Sequence, residues 1–91
     1  MKVFYIRVST VNQNEARQVE QAKEVNADKV FIDKASGKNT DRKAFKEMMN
    51  FVREGDEVIV SDISRLGRNT KDVLTTIEEL NSRGVAFRSY D

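Results

Sequence analysis

The chain contains no cysteine and no histidine. Without Cys there is no disulfide, no thiolate nucleophile and no Cys-based metal site, and without His the commonest general base is gone. Catalysis is left to Ser, Arg, Gln, Asp, Glu, Lys or Tyr. Nor is there any run of about eighteen or more consecutive apolar residues, so no segment reads as a membrane span. The N-terminus passes straight into a strand-like run, which makes the cytoplasm the default compartment. A surplus of one charge is missing as well. Sixteen Lys and Arg face 15 Asp and Glu, and the resulting net charge of +1 does not announce a nucleic-acid partner, so any basic surface must be local. Ninety-one residues bound one small domain, whose core suffices for folding with little surplus.

What is present is a regular switching of apolar period between two and about 3.6. Val3 to Val8 reads as a strand. A polar segment from Asn12 to Asn26 follows, with a modest helical face at Ala16, Val19, Ala22 and Val25. Val30 to Ile32 reads as a short second strand. From Asp41 to Arg53 the positions Phe45, Met48, Met49 and Val52 form a buried helix stripe, with Asn39, Thr40 or Asp41 to cap it and Gly55 just past its end. Glu57 to Val60 is a third strand. Thr70 to Arg83 repeats the helix pattern through Val73, Leu74, Ile77 and Leu80, with Thr70 as cap and Gly84 as stop, and Val85 to Arg88 is a fourth strand. Strands alternating with helices predict an α/β domain with a mostly parallel four-stranded sheet flanked by at least three helices.

Open parallel sheets place ligands at the carboxyl ends of their strands, so the loops there carry the chemistry. Ser9 and Thr10 lie at the first such end, Asp33 to Asn39 follow the second, and Asp62 to Asn69 follow the third. Arg7 and Ser9, two residues apart at the end of an apolar run, face one side of a strand because strand side chains alternate. Arg65 and Arg68, at another strand end, are placed to meet them. One hydroxyl among several guanidiniums is what attack on a phosphodiester needs: a nucleophile, and planar cations that grip phosphate oxygens bidentately. Such a site uses neither a metal nor a histidine, and no cofactor is expected.

Several ordered motifs, Tyr5-Ile6-Arg7-Val8-Ser9-Thr10, Asp33-Lys34-Ala35-Ser36-Gly37, Asp41-Arg42-Lys43 and Arg65-Leu66-Gly67-Arg68, span essentially the whole chain. Together they resemble the catalytic domain of the serine recombinases, the resolvase and invertase family. The resemblance implies that Ser9 is the nucleophile, forming a phosphoserine link to a 5′ DNA end and releasing a 3′ hydroxyl. It implies that Arg7, Arg42, Arg65 and Arg68 hold the scissile phosphate, that Gln13 and Gln18 are polar residues near the active serine, and that Tyr5 is a supporting aromatic. The implied partners are DNA and further copies of the chain, dimer or tetramer, in the bacterial nucleoid or on a phage or mobile element.

Two positions depart from the family pattern. Ser64 stands where many members carry an Asp able to protonate the leaving 3′ oxygen. Asp62 would share its face in an extended segment, and it is expected to take part of that role. Phe51 stands where some relatives have Lys, and Arg53 cannot replace it because i and i+2 do not share a helix face. Family members continue into a long dimerisation helix and a DNA-binding region, whereas this sequence stops at Tyr90-Asp91. Residues 1–91 are therefore expected to form the catalytic core alone, with weak, salt-sensitive DNA association and no site-specific recombination by this piece. The alternative reading is an assembly or regulatory module of recombinase type that no longer cuts. A third reading takes Asp33 and Asp62 as a magnesium pair in a phosphoacceptor domain, and leaves the arginines without a role.

Overall fold

The computed structural model describes residues 1–9, 15–35, 42–61 and 70–90, with the backbone alone at residues 9, 15, 34 and 35. The element order is β1 (Lys2–Ser9), α1 (Glu15–Glu24), β2 (Lys29–Ala35), α2 (Lys43–Phe51), β3 (Glu57–Val60), α3 (Thr70–Ser82) and β4 (Ala86–Ser89). The strands form one sheet in the order β2-β1-β3-β4, and all three pairings are parallel. The expected α/β architecture is present, with a sheet that is wholly rather than mostly parallel.

Alternation along β1 divides the core in two. Val3 and Tyr5 join Phe31, Val58 and Val60 under Met48 and Val52 from the α2 region and Val73 and Leu80 from α3. Phe4, Ile6 and Val8 join Ile59 on the opposite face, where Ala22 of α1 packs with Val19 and Val25. One strand thus feeds both layers, which is why its apolar run is continuous rather than alternating. Because β2 lies on one side of β1 and β3 on the other, chain direction across the sheet reverses at β1. In open parallel sheets the crevice for ligands lies outside the carboxyl ends at such a reversal. The carboxyl end of β1 is the Arg7–Ser9 segment.

Three expectations change. The second strand is longer than its apolar run: β2 stays in register with β1 from Lys29 opposite Val3 to Ala35 opposite Ser9. Backbone pairing carries it through polar Asp33 and Lys34, past the point where side-chain patterning stops. Leu74 is 53% exposed, not core. At about 100° per residue it lies a quarter-turn off the line through Val73, Ile77 and Leu80, and α3 buries only that line. Thr70 is the first residue of α3 rather than the cap before it.

The cap of α2 also differs. Arg42 occupies the N-cap position and makes no side-chain cap hydrogen bond. The carboxylate of Asp33, reaching over from β2, accepts the N–H groups of Ala44 at 2.8 Å and Phe45 at 3.0 Å. Two N–H groups of the helix start are thus satisfied across the fold, and the expected caps Asn39, Thr40 and Asp41 lie outside the described residues. At the other end of the elements, Gly84, φ 76°, ends α3 as a helix-terminating glycine does, whereas Gly55, φ 94°, sits in the turn closed by the Asp56 N–H to Arg53 carbonyl bond after α2 has ended at an extended Val52.

Candidate functional site

At the carboxyl end of β1, Tyr5 and Arg7 project to the side covered by α2 and α3, since their register partners Phe31 and Asp33 lie beside them on β2. Tyr5 is fully buried, and its hydroxyl donates to Oδ2 of Asp33 at 2.7 Å. Burial first, and the hydrogen bond to Asp33 second, push the Tyr5 hydroxyl up from 10.0 to about 12. The phenol therefore stays protonated at neutral pH and serves as a donor, not as a base.

Arg42 sits at the entrance to α2 with its guanidinium carbon 4.0 Å from the Phe45 ring centroid and 5.7 Å from that of Tyr5. The rings of Tyr5 and Phe45 meet edge to face, with centroids 5.5 Å apart. A planar cation held over aromatic rings loses less freedom in presenting its fork than a flexible Lys would. Arg42 is a poor capping residue placed where a cation opposes the helix dipole, and the Asp33 carboxylate supplies the missing acceptor and the missing negative charge. Asp33 occupies the N–H groups of Ala44 and Phe45, so those two donors at the start of α2 are not open to an anion.

The same occupancy bears on the magnesium reading. Asp33 already accepts three hydrogen bonds, from Tyr5, Ala44 and Phe45, with one on Oδ1 and two on Oδ2. A cation ligand would have to break that network. Asp33 is a structural anchor that sequence reasoning placed in a loop; nothing local in the sequence marks it as an acceptor for α2.

Gln18 approaches from the other layer. It lies on α1, 4% exposed, and its Nε2 donates to the backbone carbonyl of Arg7 at 3.4 Å. Its link to the site therefore runs through the backbone of β1, not side chain to side chain. Ser9 ends β1 with its backbone opposite Ala35. Gln13, Asp62, Ser64, Arg65 and Arg68 lie outside the described residues. The structure thus brings together Tyr5, Arg7, Arg42 and, through a carbonyl, Gln18, at the strand end that carries Ser9. Among the described residues, no helix is long and apolar enough to cross a membrane.

The chain is similar to known proteins over nearly its whole length. It is 45% identical over 84 residues to the transposon Tn501 resolvase of Pseudomonas aeruginosa, covering 92% of this chain and 44% of that protein. It is 40% identical over 91 residues to the transposon Tn552 resolvase of Staphylococcus aureus, covering all of this chain and 46% of the relative. Against a DNA-invertase of Enterobacteria phage P7 it is 39% identical over 89 residues, 98% of this chain and 48% of the other. The chain thus spans just under half the length of these relatives. The family described as "Resolvase, N terminal domain" matches residues 2–91, and the chain belongs to it.

Proposed function

We propose that this domain is the catalytic core of a site-specific DNA recombinase in which Ser9 is the nucleophile. The Ser9 Oγ–P bond forms as the bond from phosphorus to the 3′ oxygen breaks. The products are a 5′-phosphoserine ester and a free 3′ hydroxyl, with one proton leaving Ser9 and one reaching the 3′ oxygen. The ester stores the bond energy, so the reverse attack reseals the strand without ATP once ends have been exchanged.

The observation that carries this reading is the guanidinium of Arg42, over the rings of Phe45 and Tyr5 on the same side of the sheet as Arg7, at the strand end that bears Ser9. Negative charge accumulating on the phosphoryl oxygens is stabilised most by donors already oriented for it, typically by a few kcal/mol each. Arg65 and Arg68 complete the set of cations, and Asp62 stands in for the carboxyl replaced by Ser64 as the source of the proton for the 3′ oxygen. Gln13 and Gln18 support the serine segment. The partners are DNA and further copies of the chain, and the compartment is the cytoplasm. With a net charge of +1, these residues alone bind DNA weakly.

The test is covalent trapping on nicked recombination-site DNA, using this domain within its natural full-length chain, with Ser9→Ala as control. A Ser9-dependent protein–DNA adduct supports the reading. DNA binding without an adduct favours the second one, an assembly module that has lost cleavage, for which Ser64 in place of Asp is the motivating feature.

A further inference from the structure

Of the three described helices, α2 alone has no acid in its first turn. α1 begins on Glu15 and α3 carries Asp72, the sign of charge that a helix start favours. In α2 that turn holds Lys43 and Lys46 instead, directly after Arg42. Asp33 sets one negative charge beside these three positive ones. Both lysines are exposed, and neither side chain has an ion pair among the described residues. The chain as a whole is nearly neutral, 16 cations against 15 acids, so this is a local excess beside the site and not a generally basic surface. Cations so placed oppose the dipole of α2, and an anion from outside the chain reverses that penalty.

The three cations follow one another round the helix. At 3.6 residues per turn, Lys46 falls about 40° from Arg42, and Lys43 about 60° further on. Arg42 is the inner end of this arc, over the rings of Phe45 and Tyr5 at the carboxyl end of β1, and the lysines carry the positive surface outward from it. Asn50, exposed and uncharged, is the other residue that falls within the arc, and Glu47 lies beyond Lys43. Along the helix axis the two lysines are separated by about 4.5 Å, close to the spacing of about 3.4 Å between successive phosphates of one DNA strand along its axis. Ammonium groups on long flexible stems can span that difference.

We propose that Lys43 and Lys46 form a DNA-backbone rail on the outer face of α2, holding phosphates that flank the one gripped by Arg42. The proposal rests on the recombinase reading, since DNA seated at Ser9 has to continue across a neighbouring surface, and this arc is contiguous with the site and of the complementary charge. The rail holds the duplex without reading its sequence.

The experiment measures affinity over a range of salt for a recombination-site duplex and for an unrelated duplex, using this domain within its natural full-length chain. The wild type is compared with the double variant Lys43→Gln, Lys46→Gln, and with a control that loses two exposed cations at the amino end of the sheet, Lys23→Gln with Lys29→Gln. Two lost phosphate contacts lower the slope of log affinity against log salt by about 2. The advantage of the wild type over the Lys43, Lys46 variant should therefore shrink about tenfold between about 50 and 200 mM salt, equally on both duplexes. The control should keep the wild-type slope. An equal fall in the control assigns the effect to net charge and overturns the proposal. An unchanged slope in the Lys43, Lys46 variant also overturns it, and leaves the arc to an acidic protein surface. A wild-type protein that forms no Ser9 adduct is failure of the recombinase reading instead, and the salt comparison then decides the rail separately.

Discussion

The phenol of Tyr5 and the carboxylate of Asp33, on adjacent strands and two residues apart in register, are joined by a 2.7 Å hydrogen bond. The same carboxylate receives two N–H groups from the first turn of α2, so β1, β2 and α2 meet at one buried group. Replacing Tyr5 by Phe removes one donor and leaves the helix cap in place. Replacing Asp33 by Ala strands the buried hydroxyl and both amides at once. Urea denaturation is expected to give a loss of about 1 kcal/mol for Tyr5→Phe and about 3 kcal/mol for Asp33→Ala. Equal losses for the two variants would mean that the carboxylate does not cap the helix.

The raised Tyr5 hydroxyl gives a pH signature of its own. Its folded value of about 12 exceeds the ordinary 10.0, so the fold favours the protonated phenol. That contribution is fully present below pH 10 and is lost as pH rises from 10 through 12. Absorbance titration at 295 nm should reveal one late-ionising tyrosine that Tyr5→Phe abolishes, and the alkaline loss of stability should be shallower in that variant.

Asp56 gives the opposite slope at the acid end. Its Oδ2 accepts the Arg53 N–H at 2.9 Å, and its Oδ1 lies 3.1 Å from the Met1 ammonium. The backbone hydrogen bond first and the ammonium second hold the carboxyl below its ordinary 3.8. A depressed carboxyl stabilises the fold above the unfolded value and loses that contribution as pH falls through the folded one. Thermal melts of Asp56→Asn between pH 6 and pH 2 should show a smaller acid-induced drop than the wild type, the difference appearing only below about pH 4.

Much of the architecture was legible because local signals agreed with one another: the stripes of α2 and α3, the period-two strands and the glycines at 55 and 84 all pointed to the same alternation. The misses share a physical origin, namely interactions between residues distant in sequence. Nothing local says that Asp33 accepts N–H groups from the first turn of α2, because the carboxylate arrives from another strand. Leu74 reads as core from spacing alone, and only the narrow contact line of α3 leaves it exposed. For the site, Arg7 and Arg42 were legible as cations, but the stacking of Arg42 on Tyr5 and Phe45 was not. The burial of Gln18 and Gln21 on α1 was not legible, because Gln is ordinarily solvated on helices.

Gly84 separates a steric cost from a conformational one. With φ at +76°, an added Cβ would come within 2.6 Å of Glu54 Cγ, whereas at Gly55, φ +94°, it meets nothing within 4 Å. Both alanine variants incur the left-handed backbone cost of about 1–2 kcal/mol, and at Gly84 the stem of Glu54, its Cγ and Cβ, must also shift. Gly84→Ala should lie at the upper end of that range and Gly55→Ala at the lower. Asn26, at φ 58°, should gain a few tenths of a kcal/mol on replacement by Gly. Chemical denaturation of the three variants checks the order.

Arg42 is where stability and the proposed chemistry part company most clearly. Its guanidinium carbon lies 4.0 Å from the Phe45 ring centroid, and that contact is worth on the order of 1 kcal/mol at a partly exposed site. If its role is to hold a phosphoryl oxygen in a fixed attitude, the loss in rate must far exceed the loss in stability. Removing one preorganised donor typically lowers a rate by about 10²–10³-fold. Arg42→Ala and Arg42→Lys are both expected to form the Ser9 adduct about a hundredfold or more slowly while unfolding within about 1 kcal/mol of the wild type. The Lys variant is the discriminating one, because it keeps the charge and loses only the planar fork and its stacking. Near-normal adduct formation by Arg42→Lys in single-turnover assays would reduce the role of Arg42 to charge alone, and the aromatic platform beneath it would then be packing without a catalytic consequence.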